Sequence, residues 1–342
     1  MALQWLRNRT FSRTSLWFQI LVVGGSTLLC LVATAVFWLQ PDSCAAVLVL
    51  PRWLWMLPGL FLAALGCTRR SKLPALAGAV LWLIYGLVFV EETRPLTRWR
   101  RWPSTEWHAA RTHGTAIRVV SLNCAGDEKA AAEAGGYQPD LVLLQESPVR
   151  PKLKEMAPNL VGADASAICG VDVSIIARGR LTPIPVPAPF NNHFAHARVR
   201  FASGSEAEVF VVRLPPYEIR IDLWSPQLWQ RQTEVRRRQR QQIEWLAGQI
   251  QAVPQEVPLI VGGDFNLPAS DRMLRGIRSR LTDTFLQSGS GWGNTIDNDI
   301  PFLLIDQVWC SGQFRADSVV ARRTVHSDHR MVVSDLLCLR DR

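Results

Sequence analysis

The chain has 342 residues, with 38 Lys and Arg against 29 Asp and Glu, for a formal net charge of +9. Its pI is about 9.6 and its mean hydropathy +0.06, which is apolar for a water-soluble enzyme and directs attention to a biased segment. The seven cysteines (Cys30, Cys44, Cys67, Cys124, Cys169, Cys310 and Cys338) form no CxxC pair, which argues against a zinc site, and their odd number and wide spacing exclude a readable disulfide framework. The length fits one large domain plus an appendage, and the basic balance suits phosphate esters, nucleic acid or anionic lipid, or else a solvated surface with topology signals.

The apolar bias lies at the N-terminus. Ser15 to Leu39 is uncharged and long enough to cross a hydrocarbon core about 30 Å thick. Ala45 to Cys67 is apolar but interrupted by Pro51, Arg52 and Pro58, with Trp53 and Trp55 as interfacial residues beside Arg52. Leu73 to Val90 is a third apolar run. Three spans are expected over residues 1–90, with a cleaved signal peptide as the alternative for the first. Arg7, Arg9 and Arg13 precede the first run, and Arg69, Arg70 and Lys72 lie between the second and third. The positive-inside rule then places the N-terminus in the cytoplasm and everything after Val90 outside the cell membrane. A middle run that only dips into the bilayer would leave the C-terminal domain cytoplasmic.

Residues 91–114 are rich in arginine and tryptophan and read as a juxtamembrane linker at the headgroups, with nucleic-acid binding as the alternative. From 115 to 342 the pattern changes to short β-branched runs. Strands are expected at Ile117–Leu122, Leu141–Leu144, Val171–Ala177, His196–Phe201, Val209–Leu214, Leu259–Val261, Leu304–Trp309 and Met331–Leu337. One long helix starts at the Ser225 cap and Pro226. It carries Leu228, Val235, Ile243, Leu246 and Ile250 on one face and a solvated face of Arg231, Arg236, Arg237, Arg238 and Arg240. Many strands with few helices imply two packed sheets with helices outside.

Acidic and amide residues stand at the ends of these runs: Asn123, Glu146, Asp264 with Asn266, Asp306, and Asp328 with His329. A strand end projects a side chain from a rigid sheet into a mouth. Carboxylate and amide oxygens are hard ligands that suit Mg²⁺, and a neighbouring histidine can bond a phosphoryl oxygen or move a proton. Gly262 and Gly263 allow close backbone approach before Asp264. Each motif alone also fits a turn or a salt bridge; their order together is more specific.

In that order the QES, GDFN and SDH motifs resemble the endonuclease/exonuclease/phosphatase superfamily, of deoxyribonuclease I-like fold, over about Ile117 to Leu337. The resemblance implies an α/β fold, a four-layer α/β/β/α sandwich preceded here by transmembrane helices. It also implies roles. Glu146 matches the principal Mg²⁺ ligand (Mn²⁺ being the alternative ion), with Asp328 near the metal. Asn123 matches a residue near metal and phosphate. Asp264 and Asn266 match the residues that orient the attacking water and contact phosphate. His329 matches the histidine that stabilises the phosphorane, oriented by Asp306. One departure stands out: Arg213, in VFVVRLPPY, occupies a position where the family presents His or Tyr. Arginine binds phosphate bidentately but moves no proton near neutral pH, so Tyr217 enters as a substitute. His193 and His196 fit either substrate contact or packing, and Trp292 falls in a loop expected to flank the mouth.

The expected activity is metal-assisted hydrolysis of a phosphoester or phosphoanhydride at the membrane, with a lipid-linked or envelope phosphate as substrate. The alternatives are an extracytoplasmic nuclease and a non-catalytic binding protein on the same fold.

Overall fold

The computed structural model describes residues 2–67, 72–99 and 102–339, with side chains from residue 16 onward. Arg69, Arg70, Arg100 and Arg101 lie outside the described residues, as do the side chains of Arg7, Arg9 and Arg13. Two compact units are present: Met1–Thr93 with Glu218–Thr233, and Arg94–Tyr217 with Glu234–Arg342.

The first unit is built on the helix Ala2–Leu39. Its 24-residue stretch Leu16–Leu39 is, among the described residues, the one unbroken helix long and apolar enough to cross a membrane. The second apolar run is two helical pieces, Asp42–Leu48 and Arg52–Leu65, bent by 81° at the break. Pro51 sits in that break, where its missing N–H and ring prevent a continuous helix. The third run forms the 17-residue helix Leu73–Phe89. Buried hydrogen bonds join these pieces. Ser26 Oγ donates to Gly59 O at 2.7 Å, Trp82 Nε1 donates to Ser26 Oγ at 3.1 Å, and Gln19 Nε2 donates to Gly66 O at 2.9 Å. Gly59 is required, because a Cβ there would meet the Trp82 ring at 2.0 Å.

The second unit holds β1 (Ala116–Asn123), β2 (Leu141–Gln145), β3 (Ala165–Cys169), β4 (Val173–Ile184), β5 (Phe194–Phe201), β6 (Glu206–Arg213), β7 (Leu259–Asp264), β8 (Leu281–Asp283), β9 (Asp306–Ser311), β10 (Phe314–Arg322) and β11 (Met331–Cys338). One sheet runs β10-β11-β1-β2-β4, with β3 also on β4; the other runs β4-β5-β6-β7-β9-β8. β4 serves both: Val173–Ala177 pair with β2 and Gly179–Ile184 with β5. At the crossing, Gly179 has φ 136° and a Cβ there would meet Arg200 O at 2.2 Å. Three strands lay outside the eight expected runs. β3 is only half-buried, β8 has three residues, and β10 carries Arg315 and Asp317 among its apolar positions.

Side chains alternate faces along a strand, and the alternation sorts the core. Ile117 and Val119 of β1, Leu141 and Leu143 of β2, Val209 and Val211 of β6, Ile260 of β7, and Val308 and Cys310 of β9 meet between the sheets. The opposite phase, with Val120, Leu122, Val142 and Leu144, packs under the helices Glu128–Glu133 and Arg150–Val161. On the other sheet Phe210, Val212, Leu259 and Val261 pack against Ile243, Leu246 and Ile250 of the helix Pro226–Ala252. The result is the four-layer α/β/β/α sandwich. Each fully buried Val, Leu or Ile contributes about 1.5–3 kcal/mol.

The long helix departs from expectation at one arginine. Arg231, Arg237 and Arg238 are exposed, but Arg236 is buried. Its Nη1 and Nη2 donate to Asp271 Oδ2 and Oδ1 at 2.9 and 3.3 Å. A guanidinium loses its water on burial and needs that bidentate carboxylate, so this position belongs to the interior face.

The stretch read as a linker contributes to the second unit from Arg94 onward. Arg98 donates to Leu286 O and Gly289 O at 2.9 and 3.2 Å. Ser104 caps the helix Thr105–Thr112 and donates to Asp317, while Trp107 is buried between the Arg111 and Arg118 guanidinium groups. All seven cysteines are free, and Cys30, Cys124, Cys169 and Cys310 are buried.

Candidate active site

The inward phase that fills the core with Val and Leu ends, at one edge of the sandwich, in polar residues. Asn123 continues the inward series of β1, Arg213 that of β6, and Asp264 that of β7; Asp306 begins that of β9. Strand pairing sets them side by side: Arg213 is in register with Asp264, and Asp264 with Asp306. Below them Gln145 Nε2 donates to Ser121 Oγ at 3.3 Å, a polar layer over the apolar core. Gly263, at φ 147°, lets β7 approach β6; a Cβ there would lie 1.9 Å from Val212 O.

Three non-glycine residues at this edge adopt left-handed backbone, Ala125 at φ 48°, Glu146 at φ 43° and Asn266 at φ 50°. Such conformations cost about 1–2 kcal/mol each and persist where the surroundings enforce them. Gly126 N–H donates to Glu146 O at 2.9 Å, pinning the turn. Asn266 N–H donates to Asp264 Oδ1 at 3.0 Å, a local bond that favours the turn.

The side chains form one network. Asn123 Nδ2 donates to Glu146 Oε1 and to Asp264 Oδ2, both at 3.1 Å. Asn266 Nδ2 donates to Asp264 Oδ2 at 3.0 Å and Leu214 O at 2.9 Å. Across the mouth, His329 Nδ1 and Asp306 Oδ2 are 2.8 Å apart. Ligand atoms of Asp264, Asp306 and His329 all lie within 4.8 Å of one another. Burial and the charge of Asp306 push the Asp264 carboxyl up to about 7, against the pull of His329 and the donors on Asn123 and Asn266. Burial disfavours charge on His329, but Asp306, Asp264 and Asp328 outweigh it and raise the imidazole to about 10. The pair is therefore an imidazolium held on a carboxylate.

The residues fit a divalent cation. Glu146 and Asp264 present carboxylate oxygens on one hydrogen-bonded network, the donor type a hard cation takes, while Asn123 faces them with Nδ2 and its Oδ1 accepts from Ala125 N at 3.0 Å. Asp306 Oδ1 is buried without a hydrogen-bond partner, and the His329 ring on Oδ2 is the positive charge that offsets its cost among the described residues. Of the compact group, His329 is committed to Asp306; Glu146 lies outside that group, and its half-buried carboxylate is the more open candidate ligand. Asp328 has an exposed side chain; its carbonyl accepts from Asn298 N at 2.6 Å.

Arg213 points into this network. Its Nη2 donates to Glu146 Oε1 at 2.7 Å and its Nη1 to Asp172 Oδ2. Tyr217 stands apart, with its hydroxyl against the Arg236 guanidinium. His193 Nδ1 lies 3.0 Å from Arg213 O, and the buried His196 pairs with Glu208 Oε2 at 3.0 Å while stacking on Phe210. Trp292 Nε1 donates to Pro301 O at 2.7 Å.

Asp172 and Ser327 escape sequence reasoning. Asp172 lies in a loop with no distinguishing neighbours. Ser327 Oγ accepts from His329 N at 3.0 Å and donates to Asn123 O at 2.7 Å, tying the histidine loop to β1. Its position inside the SDH motif was the available signal. Thr324 Oγ1 also donates to His329 O at 2.7 Å.

Comparison with known proteins agrees with this architecture. Solved structures of endonuclease/exonuclease/phosphatase proteins from Beutenbergia cavernae and Bacteroides vulgatus both superpose with a TM-score of 0.50, at 17% and 15% identity. Each match covers 66% of this chain, and 72% and 99% of the respective structures. A mannosyl-6-phosphatase from Bacteroides thetaiotaomicron is similar at a TM-score of 0.47 and 15% identity, over 65% of this chain and 99% of its own. No curated protein matches. The model of the Endonuclease/Exonuclease/phosphatase family matches residues 120–329, from β1 to His329, and the chain belongs to that family.

Proposed function

We propose that the chain is a Mg²⁺-dependent phosphoesterase working at a membrane surface on a lipid-linked or envelope phosphate. The observation that carries this reading is the convergence of Glu146, Asn123, Asp264 and Asn266 with the Asp306–His329 pair at one sheet edge. A cation held by Glu146 would neutralise charge on the phosphoryl oxygens. Asp264, with a carboxyl near 7, orients water and accepts its proton. Asn123 and Asn266 hold that carboxylate in place. His329 is fixed by Asp306 through Nδ1, which directs its other ring nitrogen, protonated, at charge developing on phosphate. Arg213 adds a bidentate donor for a phosphate oxygen.

The membrane part of the reading rests on Leu16–Leu39, with the bent pair Asp42–Leu65 and Leu73–Phe89 as further membrane segments. The N-terminus is then cytoplasmic and the phosphoesterase unit outside. A reporter fused after Arg342 tests this; cytoplasmic activity of the reporter overturns it.

The test of the reaction uses full-length protein in detergent, with Mg²⁺ or EDTA. Phosphate release from a polyprenyl-pyrophosphate and phospholipid panel is expected with Mg²⁺ and is expected to collapse in Glu146→Ala and His329→Ala. Unchanged turnover in both variants overturns the site. The net charge of +9 favours a nuclease as the second reading, which predicts plasmid cleavage that weakens steeply with salt.

A further inference from the structure

Between β6 and the long helix the chain passes through Glu218–Ser225. This segment folds with the N-terminal unit, which comprises Met1–Thr93 and Glu218–Thr233. Ile221 and Trp224 are 75% and 82% exposed, and Ile219 is 40% exposed. Large apolar side chains thus stand out from a short loop that is otherwise charged. The loop is braced. Arg220 Nε donates to Asp222 Oδ1 at 2.8 Å, Arg231 Nη1 donates to Glu218 Oε1 at 3.2 Å, and Trp229 Nε1 donates to Leu223 O at 2.8 Å. The charges are largely neutralised within the segment, while the apolar tips are not covered.

Two hydrogen bonds from the following helix relate the start of this segment to the N-terminal helices of its unit: Gln232 Nε2 donates to Glu218 O, and the next residue reaches Asp42. Thr233 Oγ1 donates to Asp42 O at 3.2 Å. Asp42 lies three residues beyond Leu39, where the apolar helix ends and Trp38 is exposed. With Leu16–Leu39 as a membrane span, Asp42 marks the headgroup level, because a charged residue there leaves the hydrocarbon. Exposed Trp and Ile beside neutralised charges are the composition that partitions into the headgroup and acyl boundary.

We infer that the Glu218–Ser225 loop is a second, shallow membrane anchor that inserts Ile221 and Trp224 into the phospholipid surface which Leu16–Leu39 crosses. The inference rests on the membrane reading above. It gives the proposed reaction a substrate preference. Glu218 is five residues after Arg213, so a loop held in lipid tethers the strand end that carries Arg213 and favours phosphates borne on lipid over phosphates in solution.

The test uses full-length Cys44→Ser, Cys67→Ser, Cys338→Ser, Ile221→Cys, labelled with an environment-sensitive fluorophore and reconstituted in phosphatidylcholine–phosphatidylglycerol vesicles. Emission is expected to be quenched more strongly by lipids with a doxyl group near the headgroup than by lipids doxylated near the chain end. A second arm compares the Ile221→Asp, Trp224→Asp double variant with wild type. It is expected to lose roughly tenfold in turnover of a vesicle-borne phosphate while a water-soluble phosphomonoester is turned over as before. Protein that resists carbonate extraction but shows no doxyl quenching overturns the anchor while the span stands; covering of the loop by another protein gives this result. Protein that carbonate strips from the vesicles overturns both. If neither substrate is hydrolysed, the catalytic reading fails and the quenching arm still decides the anchor.

Discussion

Arg213 and Glu146 are joined directly, guanidinium Nη2 to carboxylate Oε1 at 2.7 Å. Burial disfavours charge on this arginine, yet Asp172 and Glu146 hold it firmly charged. The carboxylate assigned to the cation is therefore shared with a fixed positive group. A cation must compete with Arg213 for it, and a phosphate must draw the same guanidinium toward itself. The expected outcome for Arg213→Ala is tighter Mg²⁺ binding, roughly three- to tenfold for a partly exposed pair, with a lower kcat/KM. Arg213→Lys retains the charge but loses the fork, and kcat/KM should fall in it too. Calorimetric titration with Mg²⁺ beside kinetics checks both; an unchanged Kd in Arg213→Ala removes the competition argument.

The pH profile follows from two groups. Asp264 must be deprotonated to accept a proton, so the rate should rise as its carboxyl ionises; that carboxyl stands at about 7 in the cation-free protein, and a bound cation moves the acid limb lower. His329 must keep its proton to donate, so the rate should fall through about pH 10. A bell-shaped profile results, and Asp264→Asn should abolish activity rather than shift its acid limb.

Stability of the cation-free protein should track the same groups. His329 has a raised folded value, so its contribution is full below its ordinary 6.5 and is lost as pH rises through about 10. Asp264 is also raised, so folding favours its neutral form; that contribution is full below the ordinary 3.8 and is lost as pH rises through about 7. Both vanish in the alkaline direction. Thermal melts in EDTA should give a Tm that declines from mildly acidic to alkaline pH, and the decline near pH 7 should flatten in Asp264→Asn. A Tm that climbs across this range would contradict the assignment.

Arg236→Ala removes one partner of a buried ion pair and leaves Asp271 charged in the interior. A loss of about 3–5 kcal/mol is expected, whereas Arg231→Ala on the exposed face should change stability little. Urea denaturation of the two variants separates the buried from the solvated arginine.

Gly263→Ala would set a Cβ 1.9 Å from Val212 O. The strands must separate to admit it, which moves Asp264 relative to Arg213. Lower stability together with lost turnover is the expected result, measured by melting and phosphate release; Gly136→Ala, where a Cβ meets nothing, should retain turnover.

Much of this architecture is legible in the sequence because strand alternation and apolar run length are local. β1, β2, β6 and β7 show their buried phase in a few residues, and Asn123, Glu146 and Asp264 stand where apolar runs stop. β8 and β10 were missed because three residues, or apolar positions mixed with Arg315 and Asp317, carry no clear period. The second apolar run contains Pro51, yet the 81° bend there depends on how the pieces pack.

The sequence by itself determined two packed sheets with helices outside, the N-terminal apolar helix and the set of oxygen-bearing residues at run ends, since each follows from local pattern along the chain; the four-layer sandwich came in as what the QES, GDFN and SDH resemblance implies. Tertiary structure alone decided which of them meet. Arg236 left the solvated face because Asp271, far along the chain, provides a bidentate partner, and Arg213 came to bridge Glu146 and Asp172. Tyr217 turned toward Arg236 rather than toward Glu146. The physical reason is common to all three: a charged or polar group in the interior goes wherever its hydrogen bonds are satisfied, and those partners are set by three-dimensional proximity rather than by sequence distance.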